Sequence, residues 1–266
     1  MSMSAPTMVA AATILLVRDA PGLEVLMVER HHQIDFASGA LVFPGGKASA
    51  GDSDPRWIDH CDGHDADPVQ CALKICAVRE AFEESGVLLA RPVRERGVGA
   101  PFATAEQILD IGLLRAAIDK GQASFLDALI EHGLVLAMDA LTSFAHWITP
   151  EGMPKRFDTW FYIAETPPEQ AAACDGREAV DAVWIPPDEA LKAAREKRRT
   201  IIFPTRLNIE KLAESSGAHS AIEAARTRPV VTVLPKVIKE NGEMILTIPA
   251  EAGYSVTREP LEGNRP

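Results

Sequence analysis

Three carboxylates and a guanidinium crowd the segment Arg79-Glu80-Ala81-Phe82-Glu83-Glu84-Ser85-Gly86-Val87. On a helix each residue advances about 100° around the axis, which puts Glu84 about 40° and Glu83 about 60° from Glu80. All three carboxylates then share one side, within an arc of about 100°. Phe82 points the other way and continues an apolar stripe through Ile75 and Val78. Clustered carboxylates repel one another. A hard divalent cation, Mg²⁺ or Mn²⁺, would turn that repulsion into ligation through oxygen. The competing reading of Glu80, Glu83 and Glu84 is a solvated acidic face.

The helix that must carry them has clear end signals. Asp67 is an N-cap candidate, Pro68 suits the first helical position, and Gly86 suits a C-terminal stop. Upstream, the apolar run Ala40-Leu41-Val42 leads into Phe43-Pro44-Gly45-Gly46-Lys47. Pro-Gly-Gly after a short strand predicts a tight turn that brings backbone close to a neighbour.

These two stretches together resemble the Nudix hydrolase box. Gly46, five further residues and Asp52 match its first half, with Asp52 where the family usually has Glu; Arg79 through Val87 match its second half. Residues 53–78 stand where the family has seven residues, an insertion rich in Asp and His from Ser53 to about Asp67. An insertion there, Asp52 or Asp54 with Trp57, Arg-Glu-x-Phe-Glu-Glu continuing to Leu89, and the pairing of Trp147-Ile148-Thr149-Pro150 with Arg156-Phe157-Asp158-Thr159 are similar to the coenzyme A diphosphatase branch. The resemblance implies an α+β fold, a Nudix-type α/β/α sandwich around a mixed sheet. It implies metal ligation by Glu80, Glu83 and Glu84, with Arg79 orienting the carboxylates through ion pairs and Gly45 and Gly46 letting the loop wrap the helix and the substrate closely. It also implies a base, Glu80 or Glu178, that takes a proton from water. The substrate would be a small nucleoside diphosphate derivative, with coenzyme A or an acyl derivative as the branch's version.

The remaining chain is read as a single domain spanning residues 1–266, elaborated by a helical insertion at about 102–140 and a C-terminal extension at about 200–266. Ala12–Val17 and Glu24–Glu29 are predicted strands around the hairpin signal Asp19-Ala20-Pro21-Gly22. Arg30-His31-His32 is either a surface turn or a basic rim in which Arg30 meets substrate phosphates. Thr104 with Gln107 reads as a helix start, followed by helical runs and a third apolar run over Leu134–Leu141. That insertion would be a cap beside the site, a dimer surface or simply core packing. Arg156–Ala164 reads as a strand, Gly176–Ile185 as a loop and another strand, Asp188–Arg199 and Leu207–Ser215 as helices, and Asn241-Gly242 as a hairpin turn flanked by the runs Val230–Val237 and Glu243–Ile248. Arg206 is either a phosphate contact or a surface cap.

A net charge of −11 disfavours a nucleic-acid partner, because phosphate-tracking proteins are usually basic. No apolar run is long enough to span a membrane, and Met1–Thr7 lacks a basic secretory start, so the expectation is a cytoplasmic protein without a membrane partner. Cys71 and Cys76 are expected as small core residues or partly exposed thiols, and His60, Cys61 and His64 as a polar loop whose spacing is no recognised zinc pattern. A homodimer through the C-terminal extension is open. Two rival functions also remain: a Nudix enzyme for a nucleotide sugar, ADP-ribose, NADH or a dinucleotide, and a silent Nudix-fold binding module.

Overall fold

Strand β1 (Met8–Asp19) divides the hydrophobic interior in two. Its alternate side chains point to opposite faces, as a period of two requires. Ala12, Ile14 and Leu16 enter one core, while Leu15 and Val17 enter the other. The computed structural model in which this is seen describes residues 8–30, 39–170 and 179–260, with the backbone alone at 30 and 179–181.

β1 turns into β2 (Leu23–Arg30) as the predicted antiparallel hairpin. The short strands β3 (Leu41–Val42) and β4 (Gly45–Lys47) pair with β2 and β1. A 3-10 turn, Ala50–Ser53, leads into the box insertion, which forms a second 3-10 turn, Pro55–Asp59, and strand β5 (Cys61–Asp62). Helix α1 (Pro68–Ser85) follows, with both predicted ends in place: Asp67 accepts the Val69 N–H, and Gly86 adopts φ 76°. Next come β6 (Ala90–Pro92), α2 (Leu109–Asp119), α3 (Phe125–Glu131), β7 (Leu134–Ala137), β8 (Thr142–Ile148), β9 (Arg156–Glu165) and β10 (Ala179–Ile185). The C-terminal part supplies α4 (Pro187–Arg195), α5 (Phe203–Leu212), α6 (Ala218–Thr227), β11 (Thr232–Val233), β12 (Lys236–Glu240), β13 (Glu243–Thr247) and β14 (Arg258–Pro260).

The main sheet runs β10-β2-β1-β9-β8-β11 and is mixed, with β1 parallel to β9 and β8 parallel to β11. The core that holds α1, α2 and α3 covers one face, and the core that holds α4, α5 and α6 covers the other. This is the α/β/α sandwich of the expected α+β class.

Three sequence expectations change in detail. Thr104 and Gln107 do exchange the reciprocal capping bonds, at 2.8 and 3.3 Å, but the regular helix begins only at Leu109. The stretch at 134–137, placed in the helical insertion, is strand: β7 pairs with β5 and β6 in a small separate sheet. Gly133 at φ 63° ends α3, and sheet pairing then outweighs the apolar run's helical reading. The run Val230–Val237 is divided by Pro235, so that β11 joins the main sheet while β12 pairs with β13 through the Asn241-Gly242 turn.

The small sheet is locked by a charge that nothing in the local sequence announces. Arg91 is 2 % exposed and donates to Asp139 at 2.6 and 2.9 Å and to Asp62 at 3.4 Å. Burial pushes the Asp139 carboxyl up, but the Arg91 guanidinium and the Gly99 N–H bring it below the usual carboxylate range. Arg91→Met should therefore leave Asp139 without its cation, while Asp62 keeps Arg96 at 2.9 Å, and cost about 3 kcal/mol, the lower end for a broken buried pair. Urea denaturation at neutral pH measures it. A carboxylate with a depressed folded pKa contributes stability above its unfolded value of about 3.9 and loses it as pH falls through the folded value, so the difference between wild type and variant should shrink in acid.

Candidate active site

The carboxylates of α1 are not a solvated face. Glu80, Glu83 and Glu84 are 8, 7 and 6 % exposed. Phe82 on the opposite side is fully buried with Ile75 and Val78, as the helical spacing predicts. The apolar stripe seats α1 on the sheet, and the turn at Gly45-Gly46 then covers the acidic side. A Cβ on Gly46 would lie 2.5 Å from the Glu80 carboxylate, and one on Gly45 would lie 2.6 Å from the Ala12 carbonyl oxygen of β1. Both glycines are thus required by close approach. The Gly45 N–H donates to Glu84 Oε2 at 3.0 Å.

Arg79 is the hub. Its Nε and Nη2 donate to the two Asp52 oxygens at 2.8 and 3.0 Å. Its Nη1 donates to Glu80 and Glu83, both at 2.8 Å, and Nη2 also reaches the Lys47 carbonyl at 2.9 Å. Asp52 is held in turn by the Ser49 N–H at 2.7 Å, so a carboxylate one carbon shorter than Glu still makes the two-pronged pair. Burial works against the Arg79 charge, and Asp52 and Glu80 outweigh that and raise its pKa. Burial pushes the Glu83 carboxyl up to about 8 against the pull of Arg79, with Glu80 and Asp119 adding to the push.

These groups open onto a cleft of about 1120 Å³. Five acidic side chains line it (Asp52, Asp54, Glu80, Glu83, Asp119) against three basic ones (Lys47, Arg79, Lys155). A diphosphate entering so acidic a cleft meets net repulsion unless cations accompany it. The donor set fits a hard divalent cation: every carboxylate is an oxygen donor, and Glu80, Glu83 and Glu84 would hold it. Among the described residues no three His, Cys, Asp or Glu side chains already gather as a metal cage. Here Glu80 and Glu83 turn toward Arg79, and Glu84 toward Gly45.

The other sequence-derived candidates scatter. Gly45 and Gly46 line the cleft, whereas Glu84 stands behind them. Arg206 is corrected: it does not line the cleft, and its guanidinium pairs with Glu210 at 2.7 Å and with Glu259, over the Phe203 ring. Pro204 starts α5 early enough to put Arg206 on that helix, one turn from Glu210. Glu178 and the Arg30 side chain lie outside the described residues. Asp119, Thr149, Met153, Lys155 and Phe157 were not anticipated as cleft residues. They reach it from segments remote in sequence; Thr149 and Phe157 fall in the Trp-x-Thr-Pro and Arg-Phe-Asp-Thr stretches, and no local pattern marks the other three. Cys61, Cys71 and Cys76 are free and buried, and burial pushes the Cys61 thiol up to about 12.

The fold and the glycine-turn-plus-acidic-helix site define a Nudix domain. The chain belongs to the NUDT19 Nudix domain family, whose profile matches residues 59–212. The match begins within the box insertion, so Gly45, Gly46 and Asp52 precede it. Acyl-coenzyme A diphosphatase NUDT19 from Gallus gallus is 30 % identical over 68 % of this chain and 62 % of that protein. The Homo sapiens protein of the same name is 27 % identical over 91 % of this chain and 75 % of its own length. The chain therefore spans about three fifths of the length of the chicken relative. A solved Nudix hydrolase from Alicyclobacillus acidocaldarius superimposes with a TM-score of 0.69 and 25 % identity, covering 84 % of this chain and all but 1 % of that one, 99 %.

The glycine geometry separates two effects. Gly45→Ala drives a methyl group into β1 backbone and should cost about 1–3 kcal/mol in thermal or urea unfolding. Gly46→Ala meets only the movable end of Glu80, so stability should fall less while Mn²⁺ affinity, read by calorimetry, drops about tenfold. Equal stability losses with unchanged Mn²⁺ affinity would contradict this assignment.

Proposed function

We propose that this chain is a divalent-cation-dependent pyrophosphohydrolase that cleaves the diphosphate bridge of coenzyme A and its acyl thioesters. The products would be adenosine 3′,5′-bisphosphate and the phosphopantetheine half. The observation that carries the proposal is the placement of Arg79-braced Glu80 and Glu83 along a cleft of about 1120 Å³. The names of the relatives support the choice of substrate. Mg²⁺ or Mn²⁺ is the proposed cation.

Such a cation, when bound, offsets phosphate charge and lowers the pKa of water. The chain's own residues do the rest. Arg79 fixes the carboxylates before substrate arrives, which avoids reorganisation during the reaction. Gly46 leaves the Glu80 carboxylate the space a side chain would fill. Lys47 and Lys155 line the cleft with positive charge for the phosphates. The water oxygen joins one phosphorus, the bridging oxygen leaves with the other phosphate, and the water's proton passes to a carboxylate. Glu80 is the described candidate for that base, and Glu178 is the alternative.

Purified protein should hydrolyse coenzyme A and acyl-coenzyme A with Mg²⁺ or Mn²⁺, in preference to ADP-ribose, NADH or a diadenosine polyphosphate. Glu80→Gln and Glu84→Gln should each reduce turnover about a hundredfold or more while remaining folded. Cleavage of another member of the panel instead would keep the hydrolase and discard the coenzyme A assignment. Full activity in both variants would discard the carboxylate mechanism.

A further inference from the structure

Part of the cleft lining comes from segments that a minimal Nudix fold lacks. The box insertion and the helical insertion meet there. Trp57 of the first packs on Phe125 of the second with ring centroids 6.0 Å apart, and Arg56 pairs with Asp127 at 2.7 Å. The helical insertion rests on the acidic helix: Phe125 stacks on Phe82 at 5.9 Å, and Arg115 of α2 donates to the Glu83 carbonyl at 2.8 Å. The wall so formed presents Trp57, Ile118, Ala123, Phe125 and Leu126 to the cleft, with the polar Asp54, Asp119 and Ser124 among them. The facing wall comes from the connection between β8 and β9, which presents Met153 and Pro154 beside Lys155, and from the start of β9, which presents Phe157. Met153 is 41 % exposed, a large apolar side chain left in contact with water at the mouth.

From this geometry we infer that the apolar part of the cleft is a subsite for the hydrocarbon chain of an acyl thioester, and that the two insertions together with Met153 set chain-length selectivity. The inference rests on the coenzyme A reading above. With the diphosphate at Glu80 and Glu83, the pantetheine arm lies between those carboxylates and the hydrocarbon chain and must carry the chain onto the apolar wall. The adenosine bisphosphate end could stack its base on an aromatic ring, but it would bring its 3′-phosphate against aromatic and aliphatic side chains, where burying charge is costly. A hydrocarbon chain gains with every methylene it removes from water. The wall is also preorganised: its aromatic side chains are already packed on the acidic helix, so chain binding orders little that is not already ordered.

Each methylene seated there should strengthen binding about fourfold, the equivalent of about 0.8 kcal/mol. The experiment compares coenzyme A with its butanoyl, hexanoyl and octanoyl thioesters. It measures kcat/KM with wild type, and binding affinity by calorimetry with Glu84→Gln, which is expected to bind without turnover. Wild-type kcat/KM and Glu84→Gln affinity should both climb with chain length. Met153→Asp puts a charge at an exposed position of the facing wall, where folding is insensitive, and should flatten the climb. Ala123→Phe fills part of the groove and should move the optimum to a shorter chain. Affinity and kcat/KM that ignore chain length, or a climb unchanged in both variants, would overturn the subsite. Chain-dependent affinity without cleavage of any thioester by the wild type would leave the subsite standing and overturn the hydrolase reading instead.

Discussion

One guanidinium holds the site together. Arg79 gathers Asp52 from the box insertion's edge, Glu80 and Glu83 from its own helix and the Lys47 carbonyl from the glycine turn. Without it, several carboxylates would lie close together at low solvent exposure, where like charges repel strongly and desolvation is least forgiving. The arrangement also explains why an Asp can occupy position 52. The 3-10 turn at Ala50–Ser53 brings its backbone near enough for the shorter side chain to make both contacts with Arg79.

The same helix organises the outer parts of the molecule. Phe82 points away from the carboxylates and receives Phe125, which in turn receives Trp57. Arg115 grips the helix at Glu83, a turn before its left-handed end at Gly86. The elements that shape the apolar part of the cleft are thus fastened to the element that carries the acidic groups. The buried Arg91 network then fixes β5, β6 and β7 beneath them, tying the box insertion to the helical insertion through Asp62 and Asp139. These are ion pairs at low exposure, whose worth lies more in specifying one arrangement than in raw stability.

Much of this was legible in residue order, and the reason is locality. Caps, hairpin turns and the stripe of Ile75, Val78 and Phe82 depend on neighbours a few residues away. For that reason Asp67, Pro68, Gly86, the first hairpin and the Asn241-Gly242 turn stand where the sequence puts them. The glycine turn was legible as a close approach, though what it approaches, Glu80 and β1, was not. Strand β7 was misread because an apolar run has no intrinsic state. Its partners at Cys61 and Ala90 are far away in the chain and decide the matter by pairing.

By itself the sequence determined the chemistry available: three glutamates on one side of a helix, an arginine beside them, two glycines ahead of them. Only the tertiary structure decided how those groups are used. It showed that the carboxylates are buried rather than solvated and that Arg79 is shared between Asp52 and the helix. It took Arg206 away to Glu210 and Glu259 and brought Asp119, Lys155 and Met153 to the cleft. The physical reason is that burial and ion pairing depend on which surfaces meet, and these surfaces come from segments separated by tens of residues of chain.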